Sequence, residues 1–459
     1  MRKILLCDFL LLFITLVTLS GEEMALDVEK AVEKALANNL DLKSEKLNVK
    51  MKKRTKDTFW NLFLPTTTTS TTLYRSNEEP EGFSIPGIIE EPAPPRWEFS
   101  FSLSATLRLT SQLYFGIKKT FLDYEEGLIS LETAQKRLAL DVKKTFYNLI
   151  LLQKNTELMQ QNIETAERRY EQAKINYENG LVSEYDMLSA QVALENLKPS
   201  LKDMEIGYAS ALSAFKQLLG VDRKTDIRIV GSISSEARRD AGHPDKALEL
   251  DADALIRGYV DNRLDIRALK HSIKSLDNLK NITFTSFFPS VTLSYLMDPV
   301  FQGDPFRDPW FADVVGDWEQ KAGGFSVTLS LSLDTLIPNS QTQVTLKDNT
   351  DALRQAEISL AQARQGAEIE IETLVANLEK SIESIDTLRL NVRLAERAYN
   401  LAEEAYNAGS KELLEVQNAD LELQKAKLEV LKEEYNYTVG LLDLEYAINA
   451  ELDRVGKVK

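Results

Sequence analysis

The sequence predicts a mainly helical, internally duplicated chain that carries four membrane-type strands, and three observations predict it. Glycine (19) and proline (13) together make up about 7% of the 459 residues, against roughly 12% in ordinary globular usage. The sequence also matches itself along most of its length, and three short segments alternate strictly between apolar and polar residues, with a fourth, threonine-rich segment at the position the repeat assigns to their partner. The first observation calls for long uninterrupted elements, the second for two copies of one plan, and the third for strands with one apolar face.

Composition narrows the function. With 55 basic and 71 acidic residues and a formal charge of -16, the chain is not built to meet a nucleic-acid backbone. Two histidines, His243 and His271, and one cysteine, Cys7, leave almost nothing for a His/Cys metal site or a nucleophile-base pair. No paired carboxylates recur at a site, so neither an enzyme nor a cofactor or metal is expected. His271 lies among charged residues and reads as a surface group. Residues 1–20 read as a secretory signal: Arg2 and Lys3 precede an apolar run that ends in Thr18-Leu19-Ser20. Cys7 sits too early in that run to suit a lipid attachment and is expected to leave with it. No later run of 18 apolar residues occurs, so any membrane segment must be a strand.

The elements follow in order from the repeat. At a shift of 224, Asn38-Asn39-Leu40-Asp41-Leu42 falls on Asn262-Arg263-Leu264-Asp265-Ile266, Phe63-Leu64-Pro65 on Phe287-Phe288-Pro289, and residues 101–109 on 325–333. Beyond a five-residue insertion at 336–340 the shift becomes 229, and Ala166, Tyr170, Ala173, Tyr177 and Gly180 fall on Ala395, Tyr399, Ala402, Tyr406 and Gly409. Each copy reads as short helix, strand, acidic loop, strand, long helix, tight turn and return helix. The predicted divisions are the signal (1–20), a first repeat (21–220), a linker (221–252) holding a short strand at 227–230, a second repeat (253–447) and a tail (448–459).

Residues 128–179 contain neither Gly nor Pro, and Val142, Phe146, Leu149, Gln153, Thr156, Met159, Ile163, Ala166, Tyr170, Ala173 and Tyr177 step by threes and fours. The second copy repeats the series from Ile371 through Val375, Leu378, Ile382 and Ile385 to Tyr406. These are narrow coiled-coil seams on charged helices. A helix from Gly116 to Gly180 would be on the order of 95 Å long. Gly180 and Gly409 stop the long runs, so each copy contains a helical hairpin. Pro199 should kink the first return helix; the second has Leu428 there.

Strands are predicted at 66–74, 97–110, 290–297 and 324–334. Along 97–110 every odd position is apolar and every even one polar; Val291, Leu293 and Tyr295, and likewise Phe325, Val327, Leu329, Leu331 and Leu333, repeat the pattern. The helical stripes are used up in the hairpins, which leaves Phe99, Phe101, Leu103, Leu107, Leu109, Phe325, Val327, Leu329 and Leu331 to face lipid. About ten residues per strand suits a tilted barrel strand. Four strands cannot close a barrel, and an open edge leaves backbone groups unpaired in hydrocarbon. Oligomerisation is therefore required: three chains give twelve strands, two give eight. The two joining segments, 76–96 and 298–324, hold 8 of the 13 prolines and carry -8 of the charge.

At this point the chain resembles the TolC family of outer-membrane efflux and secretion channels. The resemblance rests on the duplicated plan, on Leu26-Asp27-Val28-Glu29-Lys30-Ala31-Val32 with Ala35-Leu36-Ala37-Asn38-Asn39, and on the turns Tyr177-Glu178-Asn179-Gly180-Leu181-Val182-Ser183 with Asp186 and Tyr406-Asn407-Ala408-Gly409-Ser410-Lys411 with Glu415-Val416. It implies a homotrimer: one twelve-stranded transmembrane β-barrel in the outer membrane, continued by coiled-coil hairpins as an α-barrel tunnel in the periplasm. It implies a periplasmic adaptor and an inner-membrane RND or ABC pump as partners, with Gly180, Leu181, Val182, Ser183, Gly409 and Ser410 at the adaptor-contacting tip. Polar links that hold the tip shut map to Asp186, Tyr406 and Lys411, the last an arginine in the best-known member. Acidic rings map to Glu415, where the acid is kept, and to Asn418, where it is lost. Residues 221–252 and the tail are implied to form a belt around the tunnel. The function implied is a passive exit duct for small molecules or proteins in tripartite efflux or type I secretion. The rival from another class is a secreted structural or adhesive coiled-coil protein.

Overall fold

The computed structural model describes residues 24–78, 82–85, 87, 89–91, 93, 95–233, 250–303, 310 and 323–452. The signal segment, half of the linker (234–249) and the end of the tail lie outside the described residues. In chain order the elements are β1 (Met24–Leu26), α1 (Val28–Asn38), α2 (Leu40–Asp57), β2 (Thr66–Arg75), β3 (Phe83–Ile85), β4 (Ile89–Glu91), β5 (Trp97–Leu109), α3 (Gln112–Glu178), α4 (Glu184–Leu219), β6 (Ile227–Ile229), α5 (Ala252–Tyr259), α6 (Leu264–Phe284), β7 (Ser290–Met297), β8 (Val300–Gln302), β9 (Gly324–Ser330), α7 (Gln341–Asn407) and α8 (Leu413–Ile448). The duplication is visible in the lengths: α3 and α7 have 67 residues each, α4 and α8 have 36 each. The chain divides into two units, one of residues 1–47, 129–268 and 361–459, the other of 48–128 and 269–360.

In the first unit the predicted seams form the core. Val142, Phe146 and Leu149 of α3 are fully buried with Phe215 and Leu219 of α4, and Ala31 and Ala35 of α1 join them. A second cluster joins Ile371, Val375 and Leu378 of α7 to Leu441, Leu444 and Ile448 of α8. The seams depart from the sequence reading in places. Gln153 and Tyr177 are exposed. Ser381, not Ile382, is the buried residue of its turn, because its hydroxyl donates to Glu433 at 2.6 Å. Helix α4 runs through Pro199 as one element, and α8 continues to Ile448. Strand β1, which the sequence reading did not anticipate, pairs in parallel with β6, Met24 opposite Ile227 and Leu26 opposite Ile229.

The second unit is built on an antiparallel sheet in the order β2-β5-β7-β9, with β8 continuing the β7 side along β5. The break between β7 and β8 falls at Asp298-Pro299, where proline cannot donate to the ladder. Strand β9 ends at Ser330, short of the expected 334, because Leu333–Leu336 turn into a 3-10 helix. His271 corrects another expectation. It is only 6% exposed, with its Nε2 3.5 Å from the Glu125 carboxylate.

Candidate functional site

Two features carry function, and each is built by one unit. In the sheet, register decides which side chains share a face. Opposite residues on paired strands point the same way, so the pairs Phe99–Leu73, Leu107–Leu293, Leu109–Val291, Leu293–Val327, Tyr295–Phe325 and Val291–Leu329 place one apolar face across β5, β7 and β9, which β2 continues with Thr67, Thr69, Thr71 and Leu73. The other face carries Thr68, Ser104, Thr106, Ser294 and Ser326, and Thr68 and Ser104 share a hydroxyl hydrogen bond at 2.7 Å. The weak threonine-rich strand β2 thus supplies the pairing that its own pattern does not advertise.

That apolar face is uncovered along β9, where Phe325, Val327 and Leu329 are 68, 61 and 70% exposed. Leu331 lies one residue beyond the strand but stays exposed. Phe101, Leu103, Leu107 and Leu109 lie on the same face in β5, half-buried. Phe99 is partly covered by Phe301 and by the Trp310 ring, whose centroids lie 6.0 and 5.9 Å away. Among the described residues, β2 and β9 are the free edges of the sheet. An uncovered apolar face of this extent on a sheet with two open edges is not what a water-soluble domain presents.

The second feature is the pair of turns. Gly180 and Gly409 have φ of 70° and 74°, a region that favours glycine. Each closes its long helix the same way: Leu181 N–H bonds Asn176 O at 2.8 Å and Gly180 N–H bonds Tyr177 O at 2.8 Å, while Ser410 N–H bonds Ala405 O and Gly409 N–H bonds Tyr406 O at 2.9 Å each. The return helices start differently. Ser183 caps α4, and the Asp186 carboxylate accepts from both the Ser183 amide (3.2 Å) and its hydroxyl (2.7 Å), a complete capping box. Glu412 caps α8 without a side-chain bond. Leu181 is 74% exposed, Val182 half-buried.

The remaining tip residues divide into those brought together and those not. Ala173, Ala190 and Leu413 form a small core between the turns, and Tyr170 and Tyr406 pack on it. Burial pushes the Tyr406 phenol up, and the nearby Asp186 charge adds to the rise against an opposing hydrogen bond with Asn176. Lys411 is not joined to Asp186; from the turn just before α8 its ammonium donates to Glu415 in the first turn of that helix. Glu415 and Asn418 are both exposed on α8, three residues apart and so on neighbouring positions of one face.

One connection escaped sequence reasoning. Arg169 of α3 donates to Asp420 of α8 at 2.7 Å and to the Tyr399 hydroxyl of α7 at 3.0 Å, and Tyr399 donates to Glu403 at 2.8 Å. With Lys144–Asp443 it ties the first hairpin to the second. Tyr399 therefore does more than pack. Nothing local announces the pair, since its members lie 251 residues apart.

An uncovered, register-consistent apolar sheet joined in one chain to duplicated coiled-coil hairpins defines the α-and-β class of outer-membrane channel. The model of the outer membrane efflux protein family matches residues 31–221 and 255–450, and the chain belongs to that family. The match falls in two segments, one on each repeat. The chain is an outer-membrane channel protein and not an enzyme. Similar solved structures include CusC, studied for conformational changes accompanying folding and transmembrane channel formation (17% identity, 92% of each chain, TM-score 0.73). The outer-membrane channel OprN is 18% identical over 93% of this chain and 90% of its own, with a TM-score of 0.72. The Campylobacter jejuni outer membrane channel CmeC is 16% identical over 92% and 85%, with a TM-score of 0.73. No curated protein matches the chain by sequence.

Proposed function

We propose that the chain is the outer-membrane duct of a three-part export system. Three copies join their four-stranded sheets edge to edge into a twelve-stranded barrel, and their hairpins form the periplasmic tunnel below it. The observation that carries this reading is the single apolar face running across three strands of a sheet whose main path, β2-β5-β7-β9, ends in two unpaired edges among the described residues. Such a sheet is stable in hydrocarbon only when closed by further strands. The duct supplies a water-filled path, and energy comes from an inner-membrane RND or ABC pump reached through a periplasmic adaptor. The adaptor docks on the turns at Gly180, Leu181, Val182, Ser183, Gly409 and Ser410, and the exposed Leu181 side chain offers it an apolar contact.

At rest the tip is held by Asp186, Tyr406 and Lys411, with Glu415 lining the opening and Asn418 adding no charge. The acidic segments at 76–96 and 298–324 lie at the outer mouth in this reading. A path lined by net negative charge favours cations. Purified protein in a planar lipid bilayer should give discrete current steps whose reversal potential in a salt gradient is displaced toward the cation. A protein that gives no steps, or steps preferring anions, contradicts this reading of the duct.

A further inference from the structure

The first unit contains a groove of about 540 Å³ between α3, α7 and α8 whose charge opposes that of the chain. Its floor is apolar, made by Leu158, Val392, Val430 and Leu431. Four cations, Lys154, Arg389, Arg393 and Lys427, line it against one acid, Glu157, in a chain whose net charge is -16. Two of the four are already neutralised: Lys154 pairs with Glu157 at 2.7 Å and Arg389 with Glu434 at 2.6 Å. Arg393 and Lys427 have no ion pair or hydrogen bond among the described residues, and Lys427 is half-buried.

The duplication supplies an internal comparison. At the shift of 229 that relates the long helices, Lys154 corresponds to Glu383, Arg389 to Gln160, Arg393 to Glu164 and Lys427 to Lys198. The counterparts of these four cations, one from the first repeat and three from the second, are thus two acids, an amide and one lysine. Uncompensated cations beside an apolar floor are matched by a ligand with an anionic head and a hydrophobic body, because the head gains charge-assisted hydrogen bonds and the body leaves water.

We propose that this groove binds a small amphipathic organic anion, its head held by Arg393 and Lys427 and its body on Leu158, Val392, Val430 and Leu431. All the lining residues come from one chain.

The test uses the full-length protein in phosphatidylcholine nanodiscs, with calorimetric titration of 2-naphthalenesulfonate and of its uncharged analogue 2-naphthalenesulfonamide. The sulfonate should bind at least about tenfold more tightly than the sulfonamide, since only it meets the cations as a charge. Arg393→Glu with Lys427→Glu should weaken sulfonate binding by about tenfold or more. Lys198→Glu, at the counterpart of Lys427, should leave it unchanged. Because the reversed pair could disturb the helices, Arg393→Gln with Lys427→Gln is measured beside it and should show the same direction of loss. Absence of sulfonate binding, equal affinity for the two probes, or unchanged affinity in both double variants would overturn the proposal.

Discussion

Replacing Asp186 and Lys411 together with alanine raises the resting conductance of the reconstituted channel, with the time spent conducting increased by about tenfold. That is the population shift expected when a charge-assisted link of about 1.5 kcal/mol or more is lost from the closed state. The structure complicates the obvious variant in an instructive way. The Asp186 carboxylate is also the second half of the capping box that starts α4, so alanine weakens the helix start by about 1 kcal/mol as well. Asp186→Asn keeps an acceptor for Ser183 while removing the charge. If Asp186→Asn with Lys411→Ala opens the channel as the alanine pair does, charge is what holds the tip. If only the alanine pair opens it, the effect belongs to the cap. Lys411 bonds Glu415 within one chain, so its single substitution also frees the Glu415 carboxylate. Unchanged, nearly closed currents in both double variants would remove these residues from the gate.

The second large effect concerns the sheet. Leu329 and Thr328 are adjacent in β9, one paired with Val291 on the apolar face and the other with Thr292 on the polar face. An arginine on the lipid face near the bilayer midplane costs about 2 to 4 kcal/mol, and on the lumen side very little. Leu329→Arg should therefore be depleted from the outer-membrane fraction, while Thr328→Arg should assemble like the parent. Equal recovery of both, measured by immunoblot of fractionated membranes, would contradict the assignment of faces.

What could be read from the sequence was what periodicity encodes. The steps from Val142 to Leu149 and from Ile371 to Leu378 fixed the seams, Gly180 and Gly409 the turns, and the alternation in 97–109 the face that lies uncovered. These are local patterns, repeated twice, and the duplication made each copy a check on the other. What escaped was non-local. The short strand at 227–230 was legible, but its partner β1 is three residues long and some 200 positions away, too short for alternation to register. The Arg169–Asp420 pair looks, on each helix, like an ordinary surface charge. His271 looked solvated because its sequence neighbours are charged, yet it is buried, with the Glu125 carboxylate of another helix beside its Nε2. At Ser381 a serine replaces an aliphatic residue in the seam only because Glu433 stands opposite to accept its hydrogen bond.

The central claim is that one chain supplies four strands of a barrel that three chains close. Native mass spectrometry of the detergent-solubilised protein tests it most directly. The account predicts a particle of three chains that requires detergent to remain in solution. A single chain that stays soluble without detergent, or a stable two-chain particle with eight strands, would contradict it.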